Sequence, residues 1–115
     1  MPMIKHILLI FFLTSLNSIV FSQKSEAKDY IIAGNQSYQI KDYAKAEIQF
    51  KNALREDNTS IKANYNLGNT LYHQQRYDEA RAHYDKVIQN PSASKADKHK
   101  AFHNIGKSYL DQNNP

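Results

Sequence analysis

An all-α fold follows from three features of the sequence. The chain is self-similar at an offset of 34 residues, its apolar side chains recur at helical spacing within each unit, and it holds only three glycines and three prolines in 115 residues. With 41% hydrophobic and 23% charged residues, the composition suits one small ordered domain.

The first segment stands apart from the fold. Lys5 and His6 precede the apolar run Ile7 to Leu13, and Val20-Phe21-Ser22 offers small or modest residues at cleavage positions. Residues 1–22 therefore read as a signal peptide, followed by a short lead-in over 23–26. An uncleaved membrane anchor is the alternative. Against it, Thr14, Ser15, Asn17 and Ser18 interrupt the apolar stretch, whereas a spanning helix needs about 20 mostly apolar residues.

Export permits disulfides, yet the chain has no cysteine, which excludes a disulfide framework and a lipid-bearing cysteine after the leader. Without Lys5, 14 of the 15 basic side chains remain against 11 acidic ones, a formal charge of +3. That mild excess favours acidic partners. The charges are scattered, with no basic block carrying interleaved aromatics, so nucleic acid is not expected as a partner.

The repeat places the helices. An offset of 34 brings Lys28 onto Lys62, Gly34 onto Gly68, Asn35 onto Asn69, Tyr38 onto Tyr72, Tyr43 onto Tyr77 and Ala46 onto Ala80. Ala33 falls on Leu67, Phe50 on Tyr84, Ala53 on Val87 and Leu54 on Ile88. Each unit predicts two amphipathic helices, over Ala27 to Ile40 and Asp42 to Glu56, then over Ile61 to Gln74 and Tyr77 to Gln89. The units themselves span 27–60 and 61–94. Antiparallel helices come within about 8–10 Å where the crossing residues are small, so Gly34 is expected at a crossing with Ala46, and Gly68 with Ala80. A mid-helix glycine costs about 1 kcal/mol relative to alanine, which makes its recurrence a packing demand.

A third unit begins after a longer joint. Lys62, Ala63, Asn66, Leu67, Gly68 and Gln74 find counterparts at Lys100, Ala101, Asn104, Ile105, Gly106 and Gln112 with an offset of 38. The extra residues lie around Asn90 to Lys98, where Pro91 ends one helix and Ser94 with Asp97 opens the next as an acidic variant of the capping box. Residues 95–115 are then the first helix of an incomplete repeat, about two and a half repeats in all. Tyr109 and Leu110 are expected to lack a covering helix, and the open C-terminal end to favour self-association.

Asn64-Tyr65-Asn66-Leu67-Gly68-Asn69, Tyr72, Tyr77-Asp78-Glu79-Ala80, Tyr84 and Ile88 resemble the tetratricopeptide repeat signature. The resemblance implies a superhelix of antiparallel helix pairs. Asn58 and Ser92 stand where the family usually has proline, and Lys41 and Gln75 where glycine is common; looser turns are expected there.

In such a superhelix the first helices line a concave groove. The resemblance implies that positions two, five, six, nine, twelve and thirteen of each unit face it. Lys28, Lys62 and Lys100 then form one column, and Asn35, Asn69 and Lys107 another. Asn66 and Asn104, with Tyr38, Tyr65, Tyr72, His73 and His103, supply amide, phenol and imidazole contacts. The lysines could hold carboxylates of an extended peptide while the asparagines bond its backbone; alternatively the lysines only keep a helix face solvated. The family's carboxylate-clamp set maps onto Ile31, Asn35, Asn66, Lys100 and Asn104, where Ile31 and Asn104 lack the required charge.

Catalytic motifs are missing from the sequence. His99 and His103 are four apart, but Lys100 stands where a zinc-protease helix needs glutamate. There is no glycine-rich phosphate loop, catalytic cysteine or serine nucleophile elbow. A non-enzymatic scaffold without metal or cofactor is expected.

The leader ending in Ser22-Gln23, the segment Ala63 to Tyr72, the joint Pro91 to Lys98 and the restart His103-Asn104-Ile105-Gly106 resemble the tetratricopeptide proteins of Bacteroidetes Bat aerotolerance operons. That likeness implies a periplasmic or inner-membrane-associated scaffold whose partners are von Willebrand factor A-type Bat membrane proteins, with membrane contact only through an uncleaved leader or a partner. The alternatives are an accessory or inhibitory subunit of an envelope enzyme, and the N-terminal part of a longer repeat protein with a catalytic domain beyond Pro115.

Overall fold

The computed structural model describes residues 25–114, and the leader reading over residues 1–22 lies outside them. Five helices follow one another, with no strand among the described residues. They are α1 over residues 25–39, α2 Tyr43–Glu56, α3 Ile61–His73, α4 Tyr77–Gln89 and α5 Lys95–Asn113. None of them is long and apolar enough to cross a membrane.

Local chemistry sets the helix starts. Asp42 Oδ1 accepts from the Lys45 amide at 3.1 Å, and Ser60 Oγ accepts from that of Ala63 at 3.1 Å. Ser94 and Asp97 form a complete capping box: the Asp97 amide donates to Ser94 Oγ at 3.0 Å, and the Ser94 amide to Asp97 Oδ2 at 3.1 Å. Arg76 provides no side-chain cap to α4; Asp78 and Glu79 in the first turn favour the helix dipole there instead.

The turns are tighter than the sequence suggests. Lys41 and Gln75 take the left-handed conformation, with φ of 63° and 61°. The Asp42 amide reaches back to Ser37 O at 2.9 Å, and that of Arg76 to Leu71 O at 3.0 Å, closing Schellman-type ends. The expected loosening does not occur, because these bonds hold both lysine and glutamine where glycine is usual. Where proline is usual, Asp57 and Asn90 make Asx-type turns, accepting from the amides of Thr59 and Ser92. Asn90 Nδ2 then donates to Thr59 O at 2.9 Å and ties the two turns together.

One continuous core runs through the stack, built from Ala46, Phe50, Leu67, Leu71, Ala80, Tyr84, Val87 and Ala101. The glycines have a more particular part in it than small size at a crossing. A Cβ at Gly34 would stand 2.5 Å from Phe50 Cε1, and one at Gly68 would stand 2.6 Å from Tyr84 Cε1. Each glycine is thus a seat for an aromatic ring from the following helix, while Ala46 and Ala80 are buried nearby.

Two polar clusters join the layers. Glu47 of α2 accepts from Gln74 Nε2 at 3.1 Å and Arg76 Nη1 at 2.5 Å, binding α2 to the α3–α4 turn. Arg81 of α4 is buried; it donates to Ser108 Oγ at 3.0 Å and Gln112 Oε1 at 2.7 Å, pairs with Asp78, and lies 4.0 Å over the Tyr109 ring. Burying a guanidinium is costly unless its hydrogens find acceptors, and here α5 supplies two of them. Arg81 therefore docks α5.

Candidate peptide-binding groove

The groove is stitched from side to side by carboxamides. Asn66 Nδ2 on α3 donates to Asn35 Oδ1 on α1 at 2.9 Å. Asn104 Nδ2 on α5 donates to Asn69 Oδ1 and to the Tyr65 hydroxyl, both at 3.0 Å. Tyr84, from the core side, donates its hydroxyl to Asn69 Oδ1 at 2.6 Å. The asparagines expected to meet a ligand are thus half engaged with each other. Each carboxamide has two hydrogen-bonding ends, and among the described residues no partner engages the nitrogens of Asn35 and Asn69 or the oxygens of Asn66 and Asn104.

Three hollows lie along this seam, the smallest of about 120 Å³ between Asn35, Tyr38, Asn66 and Asn69. One, of about 190 Å³, is lined by Tyr38, Asn69, Tyr72, His73, Tyr84, Asn104 and Lys107. Its wall is an aromatic cluster in which His73 stacks on Tyr43 at 4.8 Å and meets Tyr38 and Tyr72 edge-on at 5.5 and 5.6 Å. Burial, with Lys107 and Lys41 nearby, lowers the His73 pKa and favours the neutral ring. Burial likewise raises the pKa values of Tyr38 and Tyr84, whose phenols stay protonated. Lys107 stands 5.2 Å over the Tyr72 ring, within cation–π range, and the Tyr72 hydroxyl donates to Asp111.

The second hollow, of about 380 Å³, is lined by Asn35, Ile61, Lys62, Tyr65, Asn66, Val87, Asp97 and Lys100. Here Lys62 and Lys100 of the expected column share one wall. Lys28 and His103 are exposed and line none of the three hollows. The clamp positions also divide: Asn35, Asn66 and Lys100 face the second hollow, Asn104 the first, and Ile31 packs against the core.

Asp97, Tyr84, Ile61 and Val87 are groove residues that the sequence reading did not place there. Hydrogen bonds from the Ser94 backbone and side chain lower the Asp97 pKa, so a fixed anion sits beside Lys100 and tempers the positive column. The capping-box pattern identified Asp97 as a helix-start residue, but a linear motif carries no sign of the hollow behind it. Tyr84 did carry a signal, because it replaces Phe50 at the matched position and so adds a hydroxyl.

Antiparallel helix pairs stacked side by side, with α1, α3 and α5 joined across a polar groove, define a helical-repeat scaffold. Residues 38–91 match the tetratricopeptide repeat family, which supports a tetratricopeptide repeat protein. Repeats of this family are typically non-catalytic and bind other proteins. No curated protein and no solved structure matches the chain.

Proposed function

We propose that this chain is an exported scaffold that holds an extended segment of a partner protein along the groove. The observation that carries the reading is the split engagement of the asparagines. Each pair, Asn35 with Asn66 and Asn69 with Asn104, leaves one donor and one acceptor without a partner among the described residues, which suits the alternating N–H and C=O groups of an extended backbone. Lys62 and Lys100 add attraction for acidic side chains, and the neutral aromatic wall around His73 takes the apolar part of the segment.

Export and the envelope setting rest on the sequence of residues 1–22 and on the resemblance to Bat-operon tetratricopeptide proteins. On that resemblance the partners are von Willebrand factor A-type Bat membrane proteins. The test is crosslinked copurification from envelope fractions, followed by binding of the recovered partner to purified variants. Lys62→Glu with Lys100→Glu should weaken binding at least tenfold, whereas Lys28→Glu alone should not. Equal binding by the wild type and the double variant would remove the groove from the interaction, and recovery from the cytoplasmic fraction alone would overturn export.

A further inference from the structure

The three hollows of the groove follow one another in a fixed order. The wide one shares Asn35 and Asn66 with the smallest, which in turn shares Tyr38 and Asn69 with the aromatic one. The smallest is thus a waist between two ends of different chemistry. At the wide end Lys62 and Lys100 have no ion-pair partner among the described residues.

The aromatic end matches one kind of side chain. A cavity of about 150 Å³ holds benzene, so this hollow of about 190 Å³ has room for a phenol, and the waist of about 120 Å³ does not. His73 meets Tyr38 and Tyr72 edge-on, an arrangement that a further ring extends. Lys107 stands over Tyr72 and lines the same hollow, which favours an aromatic face and opposes a cationic side chain. The hydrogen bonds narrow the choice further. Asn69 Oδ1 is taken by Tyr84 and Asn104, and Asn104 Nδ2 by Asn69 and Tyr65. A donor on Asn69 and an acceptor on Asn104 are left without a partner among the described residues. A phenolic hydroxyl both accepts and donates and so satisfies the two together; a carboxylate only accepts, and a phenyl ring does neither.

Helix α3 sets the spacing. It lines the wide end with residues between 61 and 66 and the aromatic end with residues between 69 and 73, whose centres are about 11 Å apart along the helix. An extended segment covers that in about three to four residues, and alternate side chains share one side, so three hollows take residues i, i+2 and i+4. We infer that the groove selects an extended segment of the form acid-x-small-x-tyrosine, with the acid at Lys62 and Lys100, the small residue at the waist and the tyrosine in the aromatic hollow. This rests on the groove reading above and names the residues that the groove selects.

The test titrates two capped pentapeptides, Glu-Ser-Ala-Ser-Tyr and its reverse Tyr-Ser-Ala-Ser-Glu, into the isotope-labelled full chain and follows amide shifts by NMR. Saturable binding is expected, and the tighter peptide sets the chain direction. In that peptide, phenylalanine for tyrosine should weaken binding at least threefold, and alanine or glutamate for tyrosine at least tenfold. His73→Ala should erase the advantage of tyrosine over alanine. Lys107→Gln, at an exposed position, should reduce that advantage without lowering the melting temperature. Lys62→Glu with Lys100→Glu should leave the tyrosine advantage in place and erase that of glutamate over glutamine at the other end, a division that a loosened fold would not produce. Absence of saturable binding by both peptides would overturn the inference. So would equal binding of the tyrosine, phenylalanine and glutamate peptides, or a tyrosine advantage unchanged by both His73→Ala and Lys107→Gln. The groove reading is judged apart, by the recovered partner: if that partner binds the double lysine variant less tightly while the pentapeptides show no preference, the groove stands and this motif falls.

Discussion

The ring of Tyr84 lies where the side chain of residue 68 would begin: Tyr84 Cε1 is 2.6 Å from the Cβ that Gly68 lacks. Phe50 and Gly34 repeat the relationship one unit earlier, at 2.5 Å. Helix packing in this chain depends on these two seats, because both rings are almost wholly buried and have no room to retreat.

The three glycines should therefore respond differently to one substitution. Gly34→Ala and Gly68→Ala force the rings back and should each destabilise by about 1–3 kcal/mol. Gly106→Ala meets no atom and gains helix propensity, so it should stabilise by up to about 1 kcal/mol. Urea titrations of the three variants would check this. Equal destabilisation by all three would mean that propensity, and not the ring seats, explains the recurrence.

Lys41 and Gln75 sit in the left-handed region without the freedom of glycine. Left-handed backbone costs a side-chain-bearing residue about 1–2 kcal/mol, partly offset because glycine loses more entropy on folding. Lys41→Gly and Gln75→Gly should each raise stability by about 0.5–1 kcal/mol. The two gains should be close to additive, since the residues lie in separate turns. A lower melting temperature for either variant would count against the turn geometry.

Glu47 makes stability depend on acid. Burial pushes its pKa up, but hydrogen bonds from Lys51, Arg76 and Gln74 outweigh that and lower it from 4.5 to about 2. Because the folded-state value is the lower one, its contribution is fully present above about pH 4.5 and is lost as pH falls through about 2, with a ceiling of about 3 kcal/mol. Glu47→Gln should flatten the acid limb of a stability–pH profile and lower the plateau at neutral pH. An unchanged acid limb would place the titration in other carboxylates.

Much of the helical architecture was legible in the amino-acid order, because it is written in local terms. Periodicity and the 34-residue offset placed the helices to within about two residues, and Asp42 and Ser94 marked their starts before any packing was known. The same order misled at Lys41 and Gln75. Residue preference argued for loose turns there, while the hydrogen bonds of neighbouring amides held tight ones.

The candidate groove was legible as a set of residue types and not as an arrangement. Repeat register brought Asn35, Asn66, Asn69 and Asn104 to one side of the stack, but which carboxamide end each spends on its neighbour depends on distances between helices that no linear pattern encodes. Asp97 shows the same limit, since a capping residue becomes part of a hollow only when α3 and α5 lie side by side.

By itself, then, the sequence determined the helices, their order and the small residues where they meet, since spacing along one chain specifies which side chains share a helix face. Tertiary structure decided what those small residues are for. Gly34 and Gly68 became seats for rings, Arg81 became the buried clasp on α5, and Gly106 seats no ring among the described residues, because each role is set by the neighbouring helix and that neighbour is chosen only when the helices pack.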